Sequence, residues 1–480
     1  MYEDIIEPLY GNKRDTIFDD VLKQTNESSH IYNINERIDM TVYPAYSIDP
    51  DGCEDADDAF SVYKEAGKLY LAIHIADPTE YININSRLWK DIEQRIVTKY
   101  PSNKKPIHMI LEDIMERSSL MVNKYGDVKL AISIVTEIDM NTNTYLPIGN
   151  VKLLFTKIKV SESNAFSYEQ AGELFETNDA IQYGIKISKA LTESRSERTK
   201  GVLLNDVTTS YVKYNGDTTY LYRDTPNEKL MKQMIAEFAI FANSFVGEFL
   251  KINFEGAGIF RICSANDWLH TIYSEISGEE LLNEIIVNGI RADYISSVKP
   301  HDLVGSPEYC HFTSPIRRLS DCVCHYLLKY IHLKPNTPYL PIPFTNTQLE
   351  MYSNKCMQMT RSVKNIQYKD TKFRLLQTMK HMLIMNSSIT IKYYVSSYVN
   401  SFLNIIICNI NEHSIYLSYT LRITNIQTEY KIKEIKKIDI IIVNITGNKF
   451  DEGSIPQLDN QFYIPDNCLS NDYIKLSKCG

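Results

Sequence analysis

Asp49, Asp55, Asp57 and Asp58 crowd ten residues of the segment SIDPDGCEDADDAFSVY, with Glu54 as a further carboxylate, directly against strand-like hydrophobic runs. Such a concentration of negative charge beside a strand must be relieved either by water around an exposed turn or by a divalent cation. Asp57 and Asp58 are adjacent, so in a straight strand they would face opposite ways. To serve one cation they need a bent backbone, and Gly52 within the polar run 51–54 supplies that freedom. An oxygen ligand set suits Mg²⁺, with Mn²⁺ as a substitute, rather than zinc. A calcium loop of the EF-hand kind does not fit, because the segment passes straight into AFSVY. On this segment alone, a hydrated turn and a cation site for phosphate chemistry both stay open. His74 and Asp77 in AIHIADP are candidates for the same site, with a structural strand histidine as the equal alternative.

Around the acidic loop the patterns VYPAYSIDP, AFSVY, KLYLAIHIAD and VKLAISIVTEIDM predict strands, and 88–100 predicts a helix. In NEKLMKQMIAEFAIFANSFVGEFLKI, the residues Leu230, Met234, Phe238, Phe241, Phe245 and Phe249 make one apolar helical face, from which Glu237 and Asn243 depart. A second helix is expected in PIRRLSDCVCHYLLKYIHL, capped by Thr313 or Ser314, with Pro315 in its first turn. Its inward face is read as Ile316, Leu319, Val323, Leu327 and Ile331. Unpaired first-turn amides beside Arg317 would make a seat for a phosphate, although an arginine near a helix start is commonly a surface residue. A proline-rich stretch, 334–348, leads to a helix from 349 to about 385, and strand patterns follow from 389. The fold class expected is α+β, with a short extension (1–36), a mixed α/β domain (37–385) and a small β-rich domain (386–480).

A net charge of −9 and a pI near 5.7 give no global basic field, so any nucleic-acid contact must be local. Nine cysteines, an odd number without C-x-x-C spacing, fit a reducing compartment better than a disulfide framework. The start, MYEDIIEPLYGNK, lacks a signal-peptide pattern, and FLNIIICNI is too short to cross a bilayer. A soluble cytoplasmic protein without a membrane partner is expected.

Taken in order, the motifs resemble those of the RNase II/RNB family of 3′-to-5′ exoribonucleases. Ser47-Ile48-Asp49 with Asp55-Ala56-Asp57-Asp58-Ala59 is similar to the family's opening signature, and His74-Ile75-Ala76-Asp77 to its next block. Arg95 to Tyr100, Ser194-Arg195 through Gly201, and Glu237 through Asn243 resemble later blocks. The run from Tyr309 through Phe312-Thr313-Ser314-Pro315-Ile316-Arg317-Arg318 to Asp321 and His325 matches the last almost throughout. The resemblance implies an RNB-type catalytic domain followed by an OB/S1-like barrel. It implies Asp49, Asp55 and Asp58 as metal ligands, usually for Mg²⁺, with Asp57 and Arg317 catalytic. RNA contacts would fall to Tyr100, Glu237, Arg318, Ser314 and Thr313. The implied activity is hydrolysis of single-stranded RNA to nucleoside 5′-monophosphates by a chain able to act as a monomer.

Several positions depart from the family pattern. Leu319 replaces the usual tyrosine, MILEDI lacks the proline of an M-L-P motif, and Ala236 precedes Glu237 where paired glutamates are usual. Only 48 residues precede Asp49, too few for paired cold-shock barrels, so weaker RNA affinity is expected. The alternatives are an inactive RNB-like protein that binds RNA or a partner, and a nuclease acting on DNA or cutting internally.

Overall fold

The computed structural model describes residues 2–26, 30–199, 210–215, 218–265, 285, 290–385, 388–399, 402–411, 413–422, 440–446 and 475–477. Packing divides the chain into two units, one of residues 7–206 and 225–364, the other of residues 1–6, 207–224 and 365–480.

Seven strands open the first unit: β1 (Ile38–Asp39), β2 (Ser47–Asp49), β3 (Asp58–Glu65), β4 (Lys68–Ala76), β5 (Val128–Ile138), β6 (Pro147–Lys159) and β7 (Ala165–Ser167). Five form one sheet in the order β1-β6-β5-β4-β3, antiparallel except for the β1–β6 pair. β2 pairs in parallel with β7. From Leu71 to Ala76 every residue of β4 is buried, so the centre of the sheet is covered on both faces. His74 lies in this stretch, with Nε2 2.9 Å from Ser61 Oγ and Nδ1 2.7 Å from Ser133 Oγ. Burial pulls its imidazole down to about 3, which keeps it neutral. Asp77 is also fully buried, 2.6 Å from Arg37 Nη2 and 3.0 Å from Lys329 Nζ. Both residues belong to the core rather than to the acidic loop.

The helices used below are α1 (Thr16–Asn26), α2 (Arg87–Arg95), α3 (Asp179–Thr199), α4 (Pro226–Asn253), α5 (Leu319–Leu333) and α6 (Asn346–Met385). α4 begins with a capping box between Thr225 and Glu228, with Pro226 where its missing donor costs little. Its buried face runs through Met231, Met234, Phe238, Ala242, Val246 and Leu250, while Leu230, Phe241, Phe245 and Phe249 are only partly covered. The inward face is thus rotated from the aromatic stripe. A close approach helps fix it: a Cβ on Gly247 would meet the Glu308 carbonyl oxygen at 2.9 Å, so the chain entering the 309–318 loop lies directly on this helix.

α2 ends at Arg95 rather than continuing to 100. Ile96 takes φ 65° and the following backbone pairs elsewhere, with Thr98 N–H donating to Arg317 O (3.0 Å) and Leu319 N–H to Ile96 O (2.8 Å). α5 begins at Leu319 with Arg318 as its N-cap, not at Pro315, and Leu319 through Tyr330 are all buried. A helix enclosed on every side is a central element, which the single inward face of the sequence reading understated.

Strands β8 (Ser210–Asn215) and β9 (Thr218–Arg223) form a hairpin belonging to the second unit, while β10 (Ala257–Ile262) and β11 (Asp293–Ser297) pair within the first. The second unit also holds β12 (Ser388–Val399), β13 (Phe402–Ile410), β14 (His413–Arg422), β15 (Ile440–Thr446) and β16 (Lys475–Ser477). They form an antiparallel sheet in the order β14-β13-β12-β15-β16, which does not close into a barrel among the described residues. The β-rich character expected after 389 is present, whereas an OB/S1 barrel is not formed by these strands.

Candidate active site

The acidic loop is held at both ends by strand pairing. β2 delivers Asp49 at its last position and β3 begins at Asp58. Between them the backbone turns, with Cys53 N–H donating to Pro50 O (3.1 Å) and Gly52 at φ 75°, a left-handed conformation that favours glycine. The turn settles the problem of the adjacent aspartates. Asp57 stands before the strand and is 4% exposed, while Asp58 opens the strand and lines a cavity of about 620 Å³. Asp49, Asp55 and Asp57 line the same cavity.

The 309–318 loop reaches this cavity from α4. Asn243 fastens it, accepting from Phe312 N–H at Oδ1 (2.8 Å) and donating from Nδ2 to Tyr309 Oη (3.1 Å) and Thr313 Oγ1 (3.3 Å). Asp321, in the first turn of α5, accepts from Ser314 N–H (2.8 Å) and from Arg318 Nη2 (2.9 Å). Asp57 accepts from Ile316 N–H at Oδ1 (2.8 Å) and from Arg317 Nε at Oδ2 (3.0 Å). The amides expected to be open for a phosphate are therefore partly occupied: those of Ser314 and Ile316 already hold carboxylates of the protein. The arginine remains available to the cavity. Its Nη2 donates to Ser314 Oγ (2.8 Å), its side chain is 44% exposed, and Arg317, Arg318, Ser314 and Thr313 all line the space.

Tyr100 also arrives, because the strand-like chain after α2 carries it there, and its hydroxyl donates to Asp55 Oδ2 (2.7 Å). Glu237 does not. It is buried in a two-point ion pair with Arg195, at 3.1 Å (Nε to Oε1) and 2.8 Å (Nη2 to Oε2), and is absent from the cavity lining. Arg195, on α3, is thus an anchor for α4, with Nη1 donating to Val304 O (2.7 Å), while residues 200–201 at the end of its block lie outside the described residues. Replacing Glu237 with Gln removes one charge of a buried pair and is expected to cost about 3 kcal/mol of stability. Urea unfolding checks this; an unchanged midpoint would show the pair to be dispensable.

Several lining residues carry no signal in the sequence pattern. Tyr168 enters because β7 pairs with β2, a short parallel contact without periodic signal. Lys232 lies over the Tyr168 ring at 5.4 Å, and Cys53 Sγ lies 3.6 Å from Asp55 Oδ1. Asn243 had a visible signal, a polar residue interrupting an apolar helix.

Electrostatics favour a cation here. Burial, with the carboxylates of Asp58 and Asp55, pushes Asp49 up to about 8. Burial pushes Asp58 up to about 6 against the pull of Arg317 and Arg318. Burial opposes the charge of Arg317, but Asp57, Tyr100 and Asp321 together outweigh it and keep the guanidinium protonated. No three Asp, Glu, His or Cys side chains among the described residues are gathered tightly enough to chelate a metal. The donors around the cavity are hard carboxylate oxygens whose ionisation burial disfavours, with neighbouring carboxylates adding to it at Asp49, the chemistry that a divalent ion relieves.

Residues 37–334 match the RNB domain. The chain belongs to the RNB family. Among its RNB relatives, the human exosome complex exonuclease RRP44 is 27% identical over 342 residues, covering 62% of this chain and 34% of that protein. Ribonuclease R of Thermotoga maritima is 24% identical over 425 residues, covering 77% and 54%. The chain therefore spans from about a third to about half of the length of these relatives. The fold is shared with Candida glabrata Dss1 exoribonuclease (TM-score 0.71, 17% identity, 94% of this chain and 58% of that one). Mycoplasma genitalium RNase R, solved with ribose-methylated single-stranded RNA, gives 0.67, 17%, 93% and 73%. Yeast Ssd1, a pseudonuclease, gives 0.61, 18%, 80% and 50%. The RNB segment contains every cavity-lining residue discussed above.

Proposed function

We propose that the cavity hydrolyses the 3′-terminal phosphodiester of single-stranded RNA and releases nucleoside 5′-monophosphates. The observation that carries this reading is the junction at Asp57, whose two oxygens bind Ile316 N–H and Arg317 Nε from across 259 and 260 residues of chain. That junction joins the acidic loop to the arginine loop at one cavity. Arg317, held by Asp57 and Ser314, is oriented to meet a phosphate oxygen, and Arg318 and Thr313 flank the backbone of the strand. Tyr100 supplies an aromatic face for a base. Asp49, Asp55 and Asp58 would hold Mg²⁺, or Mn²⁺ in its place, which supplies charge neutralisation at the phosphate and activates water.

Incubating 5′-labelled single-stranded RNA and DNA in Mg²⁺ or in EDTA tests this directly. Metal-dependent shortening of RNA from its 3′ end, with DNA little affected, is the expected result; internal cuts as first products would overturn it. A second reading, RNA binding without hydrolysis, is favoured by the fold shared with a pseudonuclease. In that case the same assay returns intact RNA under conditions where it is bound.

The cation site has its own signature. Asp49 and Asp58 are raised in the fold, to about 8 and about 6, from an unfolded value near 4. The contribution of these two groups to stability in EDTA is therefore fully present below about pH 4 and is lost as pH rises through these two values. Mg²⁺ should recover more stability at pH 8 than at pH 5, read as denaturation midpoints. Equal recovery at both pH values would place the ion elsewhere.

A further inference from the structure

His311 lines the same cavity as Arg317, Arg318 and Thr313, and neither the arginine nor the carboxylate chemistry above uses it. Its Nδ1 lies 2.6 Å from the hydroxyl of Tyr294, a residue only 4% exposed. A hydrogen bond of this kind fixes the tautomer once the direction of donation is known. The Tyr294 hydroxyl has no other hydrogen-bond partner among the described residues, so its proton can be satisfied only by donation to His311 Nδ1. If it instead accepted from Nδ1–H, a buried hydroxyl proton would be left unpaired, at a cost of about 1–3 kcal/mol. The imidazole therefore carries its single proton on Nε2.

The surroundings keep it that way. Arg261 stacks 4.5 Å above the Tyr294 ring and is 7% exposed. Burial, followed by the charges of Arg318 and Arg261, the neighbouring His301 and Arg317, holds His311 well below the ordinary imidazole range. Tyr309 completes the ring cluster, 6.0 Å from His311 and 5.3 Å from His301. The result is a neutral donor on a half-buried ring, with one edge committed to the core and the other left for the cavity.

We propose that His311 is a phosphate-positioning residue, donating its Nε2 proton to a non-bridging phosphate oxygen of the bound RNA strand. The contact rests on the reading of this cavity as an RNA site and adds to it a directional donor set by Tyr294. A phosphate accepts from such a donor whatever the base or sugar substituent, so the contact aligns the backbone without reading sequence.

The two amide replacements separate this role from simple packing. Gln places an amide N–H near the Nε2 position, whereas Asn reaches only as far as Nδ1. Binding of a 5′-labelled single-stranded RNA to the full chain is measured in EDTA, where no turnover intervenes, with thermal unfolding of each variant as the control. His311→Gln should bind within about threefold of wild type and His311→Asn about tenfold more weakly, the loss expected for one hydrogen bond to a charged acceptor. The gap should persist with 2′-O-methyl RNA, and the ratio of wild type to His311→Gln should stay constant between pH 5.5 and 8. Equal affinities for the two variants, a gap that vanishes on 2′-O-methylation, or a ratio that changes with pH would each overturn the proposal. Hydrolysis is read separately in Mg²⁺. Intact RNA there, with the binding pattern present, removes the hydrolase reading and leaves the phosphate contact standing; wild type that binds no RNA removes both.

Discussion

Asp57→Asn is expected to lower kcat for RNA shortening by about 10²–10³, the usual scale for losing one preorganised electrostatic group. The reason lies in the two contacts of this side chain. Oδ1 accepts from Ile316 N–H and Oδ2 from Arg317 Nε, so both oxygens must be acceptors. An amide offers only one. If its oxygen stays on Ile316, its NH₂ group faces the Arg317 Nε–H, donor against donor, and the guanidinium is displaced; if it flips, the Ile316 amide is orphaned. Either way Arg317 loses its orienting charge while the acidic loop keeps its other carboxylates. Single-turnover shortening of labelled RNA, with binding followed in parallel, checks the claim. RNA affinity within a few-fold of wild type and a collapsed rate is the expected pair of results, and an unchanged rate would remove Asp57 from the mechanism.

Lys329→Met is expected to destabilise the fold by about 3–5 kcal/mol, the cost of stranding a buried charge. Lys329 is fully buried on α5, with Nζ 2.7 Å from Glu80 Oε2 and 3.0 Å from Asp77 Oδ2. Arg37 reaches the same two carboxylates from the other side, at 2.6 Å and 2.7 Å. Although burial opposes ionisation, Lys329 and Arg37 hold Asp77 well below the ordinary carboxylate range. A carboxyl depressed in the fold contributes stability that is present above about pH 4, its unfolded value, and lost as pH falls through the folded one. The variant should therefore unfold at lower urea at pH 7 and show a shallower loss between pH 5 and 3. Pairing it with Asp77→Asn should cost less than the sum of the single changes, because both act on one network. Additive losses would contradict the network.

Much of the site was legible in one chain because its chemistry is local in sequence. The acidic loop and the 313–318 loop each declare themselves through residue types that a core does not want, and the fold brings both to one cavity. What the sequence hid was partnership. Nothing in a helical period distinguishes Glu237 facing a ligand from Glu237 facing Arg195, since the answer depends on a residue 42 positions away. The start of α5 was misplaced for a similar reason: Pro315 fits a first helical turn, but Asp57 and the backbone at 96–98 compete for the amides and carbonyls of 316–319. A histidine in an apolar strand suits a ligand and a structural residue equally, and only Ser61 and Ser133 on the flanking strands reveal His74 as satisfied. The β-rich end was legible as strands, but barrel closure is a matter of pairing order, which local alternation does not encode.

The bond between Asp57 and Ile316 also bears on how the protein comes into being. It closes a loop of 259 residues, a step whose entropy alone is about 5 kcal/mol by the logarithmic rule for flexible chains. Contacts of such long range form late and slow the search for the native state. A growing chain would carry its acidic loop through most of synthesis with no arginine to meet it. Fragments that stop short of Arg317 should accordingly be inert toward RNA, and competence should appear abruptly, when α5 docks into the core and draws its preceding loop onto Asp57.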